Sequence, residues 1–186
     1  SKGHPLFVSV LSRYAASHRP SLSAQLSLDA ALAQRLDSIH ERARALLELL
    51  SLAGVPCSLA FVSRALGWEP ETVQKCAADL VKAKLLRRLP HQRLACFHNR
   101  VRGVVVASLG QARTLALHRI LAAAVAEERG YDPALLAVHL EATGEAQAAL
   151  AAHHQAGDLA LAALAFGKAE HHYARALRLA ARTEAK

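Results

Sequence analysis

Hydrophobic residues in this chain recur mostly at intervals of three or four, a spacing that predicts a protein built mainly of helices. The clearest helical pattern begins at Glu41 and runs until Gly54, whose lack of a side chain suits the end of a helix. Further helices are predicted to begin near Leu28, at Ser58 and at Pro70. The pattern therefore predicts a series of short amphipathic helices before the middle of the chain.

A different pattern follows these helices, with two short runs that alternate apolar and polar residues. The predicted strands are Leu85–Leu89 and Arg93–Phe97, and Pro90-His91-Gln92 between them suits a tight turn. A new helix is predicted to open at His98, with the Asn99 side chain capping its first backbone N–H groups. Helices followed by a hairpin predict a winged-helix domain.

The chain after Gly110 is helical throughout in its pattern, with glycines and an Asp-Pro pair between the helices. Gly157 is expected to separate two of these helices. Five helices are predicted here: 115–130, 133–142, 145–156, 158–166 and 168–182. Short Ala-rich helices in succession predict stacked helical hairpins.

The last predicted hairpin has a regular arrangement of small and aromatic residues. Ala169 and Ala176 are placed where two helices must approach closely, and Phe166 and Tyr173 are placed where a pocket must be filled. This pattern is typical of helix-pair repeats.

Composition supports this mainly α fold class, a winged helix with a small β-hairpin followed by stacked helical hairpins. Of 186 residues 53% are hydrophobic but only 4% are aromatic, which favours closely packed helices. The predicted divisions are a leading segment 1–37, a winged helix 38–110 and helical hairpins 111–186. The absence of Met suggests a piece cut from a longer chain.

The sequence has no pattern expected of a membrane or secreted protein. No apolar run approaches the roughly 20 residues that cross a bilayer, and no signal peptide is visible. Cys57, Cys76 and Cys96 are odd in number and widely spaced, which predicts reduced thiols. We therefore expect a cytoplasmic protein without membrane contact.

The net charge of +8 is concentrated in the predicted winged helix. Basic and acidic residues number four and two in 1–37, eleven and five in 38–110, and eight and eight in 111–186. From Lys82 to Arg102 there are seven Lys or Arg and no acid. Five cations at the hairpin form a predicted basic face for nucleic acid or for another domain: Lys82, Lys84, Arg87, Arg88 and Arg93.

No sequence motif for catalysis or for metal binding is present. The chain lacks both G-x-x-x-x-G-K-[ST] and G-x-S-x-G, and its acids are scattered, so we predict no catalytic residue and no enzyme activity of this chain itself. The adjacent pairs His153-His154 and His171-His172 point about 100° apart on a helix, so neither pair can chelate a metal locally. We predict no metal site.

Three segments together resemble one family. Gly3-His4-Pro5-Leu6-Phe7 is similar to the Gly-x-Pro segment that ends the ATPase core of STAND-type (AAA/NB-ARC-like) signalling ATPases. The run Cys96–Arg102 is similar to their F-x-H-D-L-I-R segment, although Asn99 replaces the usual acid. Ala169, Tyr173 and Ala176 match the second helix of a tetratricopeptide repeat. The chain thus resembles the C-terminal regulatory part of such an ATPase, in the order lid end, winged helix and repeats.

The resemblance implies a nucleotide site shared with an ATPase core that this sequence lacks. Pro5 would line the adenine site, and His98 would donate a hydrogen bond to the β-phosphate of ADP. ATP or ADP is implied for the parent protein, while the fragment alone has no cofactor. Residues 1–37 would be the end of the helical lid.

Two functions follow as hypotheses. In the first, the winged helix packs on an ATPase core, and the repeats bind a protein partner through polar side chains: His153, Gln155, Lys168 and His172. In the second, the basic hairpin of a transcription factor tracks DNA phosphates. The acids of Glu69-Pro70-Glu71 weigh against the second, because they open the helix that would enter the major groove.

Overall fold

The computed structural model describes residues 28–184. This range is mainly helical, with nine helices and a small three-stranded antiparallel sheet. Its contacts divide it into two compact units, one made of 28–63 and 68–110, the other of 64–67 and 111 onward.

The first unit holds five helices, and the last turn of the third belongs to the second unit. They are α1 (Leu28–Asp37), α2 (Glu41–Ala53), α3 (Leu59–Leu66), α4 (Pro70–Lys82) and α5 (Asn99–Ser108). Helix α2 begins where His40 Nδ1 accepts a hydrogen bond from the Arg42 N–H at 3.3 Å. It ends at Gly54, which adopts a φ of 70° that side chains rarely tolerate. The glycine signal in the sequence is therefore a correct guide to this boundary.

The sheet confirms the predicted hairpin and adds a strand that was not predicted. Its strands are β1 (Cys57–Ser58), β2 (Leu86–Leu89) and β3 (Arg93–Cys96), in the spatial order β1-β3-β2. Strands β2 and β3 pair from Leu86 opposite Cys96 to Leu89 opposite Arg93. Strand β1 pairs Cys57 with Leu94 on the other side of β3.

A leucine-rich core holds the first unit together. Helix α2 contributes much of it, and α4 and the sheet close over the same core. The largest side chains that are fully buried here are Leu32, Leu46, Leu47, Leu49, Leu50, Leu80, Leu85, Leu86 and Leu94. Burial of this apolar area is the main force that fixes the hairpin against the helices.

The turn between α4 and β2 requires an unusual backbone at Lys84, whose φ is 55°. The N–H of Lys84 bonds to the Val81 carbonyl and that of Leu85 to the Leu80 carbonyl, both at 2.9 Å. This pair of bonds is the Schellman arrangement that usually places glycine where Lys84 lies.

The start of α5 differs from the prediction. His98, not Asn99, caps the helix, because His98 Nδ1 accepts from the Arg100 N–H at 3.1 Å. Asn99 is already the first helical residue, so the predicted Asn99 cap is wrong.

The second unit is a run of four helices, each packed against the next in the chain. They are α6 (Gln111–Ala126), α7 (Pro133–Thr143), α8 (Ala146–Ala162) and α9 (Phe166–Glu184). Helix α7 begins with Asp132 Oδ1 accepting from the Ala134 N–H at 2.9 Å and ends at Gly144, whose φ is 81°.

Gly157 does not end a helix, which corrects the prediction of two helices over 145–166. Helix α8 runs through this buried glycine, and the turn comes after Ala162, with Leu164 at a φ of 55°. A Cβ at Gly157 would lie 2.6 Å from Cε1 of Tyr173 on α9. The glycine is therefore needed for close helix approach.

The small-residue pattern of the last hairpin is confirmed, but the role predicted for Phe166 is wrong. Ala169 and Ala176 are buried as predicted, at 3% and 7% exposure. Phe166 instead leaves 63% of its surface exposed, and only Tyr173 fills space between the helices. Phe166 lies at the first residue of α9, before the helices come together.

Candidate functional site

The predicted site residues that the structure describes are divided between the two units. In the first unit five predicted cations lie on the β2-β3 hairpin or just before it, and all are exposed. We call this set of residues the basic hairpin: Lys82, Lys84, Arg87, Arg88 and Arg93. Residues opposite each other in an antiparallel pair share a face, so the register sets their directions. Arg87 lies opposite Ala95, and Arg93 lies opposite Leu89 on that same face. Arg88 is on the other face, opposite Leu94.

Backbone carbonyls hold two of the arginines near the hairpin. Arg93 donates from Nη2 to the Pro56 carbonyl at 2.9 Å, and Arg102 donates from Nε to the Ser51 carbonyl at 2.8 Å. Within residues 32–183, whose side chains are described, no carboxylate forms an ion pair with Lys82, Arg87 or Arg88. The basic hairpin therefore presents charge that an acidic partner could neutralise.

Helix α4, by contrast, presents mixed charge to solvent. Its exposed residues include Glu71, Lys75 and Asp79, and Glu69 precedes its first turn. Acids at this end of α4 repel phosphate, which limits how closely the helix approaches a nucleic acid. The strands of the hairpin thus carry only cations, Arg87, Arg88 and Arg93, whereas α4 carries charges of both signs.

His98 is only partly exposed at the start of α5. Because its Nδ1 accepts from the backbone of Arg100, the proton of the neutral ring lies on Nε2. Pro5, the other residue predicted to contact nucleotide, lies outside the described residues, as does the rest of the Gly-x-Pro segment.

The structure separates the four residues predicted to contact a protein partner. His153 is 2% exposed and lies between helices, so its side chain is not on a surface that a partner touches. Lys168 and Gln155 are exposed, and Gln155 Oε1 accepts from the Tyr131 hydroxyl at 2.9 Å. His172 is half-buried beside His153, with the two Nδ1 atoms 3.0 Å apart.

A charged network centred on Glu141 joins α7, α8 and α9. Glu141 accepts hydrogen bonds from His153 Nε2 at 3.1 Å and from Arg175 through Nε at 3.1 Å and through Nη2. Since the His153 proton is on Nε2, its Nδ1 accepts from Nδ1 of His172. Every member is thus fixed by a partner on another helix.

The pKa of Glu141 is below its usual value. Burial alone would raise it, but hydrogen bonds and charge from Arg175 and His153 outweigh burial. For His172 burial comes first and the charges of His153 and His171 second, and both lower its pKa. The network therefore favours a carboxylate at Glu141 and a neutral imidazole at His172.

A second histidine pair joins α6 and α7, and the sequence patterns did not reveal it. His118 and His139 lie with their Nδ1 atoms 2.9 Å apart. Nε2 of His139 is buried and has no hydrogen-bond partner among the described residues. Burial, with the charge of His118 second, lowers the pKa of His139 to about 4. A pair separated by 21 positions has no local spacing that the sequence could display.

The described residues do not assemble the side chains of a metal site. Within 28–184 no group of three His, Cys, Asp or Glu is placed to hold a metal ion. Burial raises the pKa of the Cys76 and Cys96 thiols, which keeps them protonated. None of the described helices is long and apolar enough to cross a membrane.

Comparisons with protein-family models, with curated proteins and with solved structures find no match to this chain.

Proposed function

We propose that this chain is a non-catalytic regulatory segment of a multidomain, ATP-dependent signalling or transcriptional regulator. Its first unit is a winged helix that docks on an acidic protein surface, such as an ATPase core, through the basic hairpin. Its second unit consists of tetratricopeptide-like hairpins that bind a protein partner. The segment couples the nucleotide state of the core to that partner, and it acts in the cytoplasm.

The order of elements supports the winged-helix assignment. Helix α2 is followed by β1, then by α3 and α4, and then by the β2-β3 hairpin. The two-residue strand β1 completes a three-stranded sheet beside the hairpin. This order fits a winged helix in which α4 is the recognition helix and the β2-β3 hairpin is the wing.

Helix contacts in the second unit support the repeat assignment. Ala169 and Ala176 are buried where α9 meets α8, and Tyr173 lies against Gly157. Each helix packs on the next in the chain, as helical hairpins do when they stack. Exposed Lys168 and Gln155, with half-buried His172, remain the partner contacts of this proposal.

The docking proposal depends on one observation, the difference in charge between the hairpin strands and α4. Strands β2 and β3 carry only cations, whereas the exposed side of α4 includes Glu71 and Asp79 beside Lys75 and Lys82. Duplex DNA would bring phosphates to α4 and to the wing together, and the α4 acids would oppose it. A folded acidic protein can contact the hairpin alone, so it fits this pattern better.

His98 is the residue through which nucleotide would act on the winged helix. As the resemblance implies, its ring would donate a hydrogen bond to a phosphate of bound ADP. The residue that caps α5 would thereby connect the nucleotide to the position of that helix.

DNA binding is the second candidate, because five exposed cations surround one short hairpin. Arg87 and Arg93 share a face, as residues that follow a phosphate backbone would. This function requires the wing, rather than α4, to make most of the contacts.

Affinity capture with nuclease treatment separates the two candidates. The bait is the whole chain, compared with Arg87→Glu/Arg88→Glu and with Arg119→Glu/Arg129→Glu, which makes the same charge change at exposed sites of the second unit. We expect the unaltered chain to capture a protein even after nuclease treatment, and we expect this capture to be lost only when the hairpin variant is the bait. Wing-dependent material that nuclease removes would instead establish nucleic-acid binding, and equal capture by all three baits would refute both candidates.

A further inference from the structure

Helix α9 carries a row of four Lys or Arg residues and one His on one face, which we call the cationic stripe. Its members are spaced by three, four, three and four residues: Lys168, His171, Arg175, Arg178 and Arg182. This spacing returns each side chain to nearly the same direction on a helix. The stripe spans about 21 Å, at 1.5 Å per residue.

The stripe borders an open groove of about 500 Å³ between α7 and α9. Val138 and Ala142 form an apolar side of the groove, and Val138 leaves 53% of its surface exposed. His171 and Arg175 bring the stripe to the opposite side. A ligand in the groove would therefore meet an apolar strip, and the exposed cations Arg178 and Arg182 follow Arg175 along α9.

The Glu141 network makes the base of this groove rigid. Glu141 binds Arg175 through two nitrogens and His153 through a third. Three helices are joined by one carboxylate, so the groove is formed before any ligand arrives. The same contact neutralises Glu141, the acid that lines the groove.

The other stripe residues are not paired within the part of the chain whose side chains are described. Among residues 32–183 no carboxylate forms an ion pair with Lys168, Arg178 or Arg182. The acids and bases of segment 111–186 are equal in number, eight and eight, so this face is positive because charge is segregated. Such a surface attracts an acidic partner.

We propose that the cationic stripe and the α7-α9 groove bind an acidic amphipathic helix of a partner protein. A helix repeats its side chains every three or four residues, as the stripe does, so carboxylates at that spacing would face successive cations. Apolar residues beside them would cover Val138 and Ala142. This inference rests on the proposed role of the second unit in protein binding and identifies the class of its partner.

A peptide fits this surface better than a single-stranded nucleic acid. Proteins that bind single strands stack the bases on aromatic side chains. At 3.6 residues per turn, Phe166 and Tyr173 lie on the opposite side of α9 from the stripe. Tyr173 faces Gly157 of α8 and donates its hydroxyl to Asp158 at 2.7 Å. The groove offers Val138 instead, which suits an apolar side chain.

The test is fluorescence anisotropy with the whole chain and a labelled helical peptide of about fifteen residues, long enough to span the stripe. The peptide carries Glu at alternating three- and four-residue spacing with Leu beside each Glu, and a second peptide replaces Glu with Gln. Arg178→Glu/Arg182→Glu removes the stripe charge, Val138→Asp blocks the apolar side, and Arg119→Glu/Arg129→Glu is the matched control. Every substituted position is exposed, and circular dichroism checks that each variant is folded.

We expect the Glu peptide to bind the unaltered chain and the control equally. Its affinity should be at least about tenfold lower for Arg178→Glu/Arg182→Glu and for Val138→Asp. Equal loss in the control would overturn the inference, as would no preference over the Gln peptide or no binding at all. Stripe-dependent binding of labelled oligothymidine in place of the peptide would overturn it in favour of nucleic acid. None of these failures concerns the basic hairpin, which is tested separately through Arg87 and Arg88.

Discussion

At the scale of single residues, Gly157 shows how a missing side chain sets the distance between two helices. Alanine in place of a helical glycine usually stabilises a protein by up to about 1 kcal/mol. At Gly157 the new Cβ would lie 2.6 Å from the Tyr173 ring, which is held through Asp158. We therefore predict that Gly157→Ala lowers the free energy of unfolding by roughly 1–3 kcal/mol.

Urea unfolding followed by circular dichroism measures this change. Gly167→Ala is the matched control, because Gly167 is in the first turn of α9 and a Cβ added there would have nothing within 4 Å. The control should be neutral or stabilising. Stabilisation by Gly157→Ala would contradict the close approach of α8 and α9.

Among the five cations of the basic hairpin, Lys84 is the one with a strained backbone. It occupies the left-handed position of a Schellman turn at a φ of 55°, where glycine has no steric penalty. We predict that Lys84→Gly raises the free energy of unfolding by about 0.5–1 kcal/mol while it removes one cation. Lys82→Gly, inside the last turn of α4, should lower that free energy by a similar amount. Thermal unfolding of both variants decides this, and destabilisation by Lys84→Gly would show that its side chain matters more than its φ.

At the scale of elements, the sequence patterns predict structure where periodicity is long enough to detect. Helix α2 repeats its apolar residues over 13 positions, and its glycine stop is visible in the sequence. Strand β1 has only two residues, too few to show alternation, so no pattern predicts it. The prediction at Gly157 is wrong because a glycine that ends a helix and one that permits close packing are identical in sequence.

The histidine pair between α6 and α7 makes a prediction about acid stability. Burial holds His139 neutral in the folded chain, with a pKa of about 4 against 6.5 in the unfolded chain. Its contribution is fully present above pH 6.5 and is lost as the pH falls from 6.5 to about 4, because the unfolded chain binds the proton first. The loss amounts to roughly 3 kcal/mol, since one pKa unit corresponds to about 1.4 kcal/mol. His118 is the titratable group that faces His139 from α6.

Replacing His139 with Leu tests this contribution. The variant removes both the titration and the unpartnered Nε2, so it should lose less stability than the unaltered chain between pH 6.5 and 4. The measurement is urea unfolding at a series of pH values, with the exposed His154→Gln as the control. Identical pH profiles for the unaltered chain and His139→Leu would show that His139 does not titrate as the burial of its ring implies.

For the molecule as a whole, the sequence shows where charged residues are concentrated, but it does not show which polar side chains are buried. All five cations of the basic hairpin are exposed as a run without acids suggests, because charged side chains on a short hairpin have no core to enter. His153 could not be assigned in the same way. It is polar in sequence yet 2% exposed, since Glu141 and His172 reach it from two other helices. Such partners come together only after the helices have stacked.

We propose above that the basic hairpin contacts an acidic protein surface and not DNA. The most direct measurement is a titration of labelled random duplex DNA with the whole chain, at low salt and at about 0.15 M salt, where surface charges are screened beyond about 8 Å. The Arg87→Glu/Arg88→Glu variant is titrated beside Arg119→Glu/Arg129→Glu. If the hairpin contacts protein, the affinity for DNA at the higher salt should be the same for both variants and for the unaltered chain. Binding that falls steeply with salt and vanishes only in the hairpin variant would contradict it and make the hairpin a DNA contact.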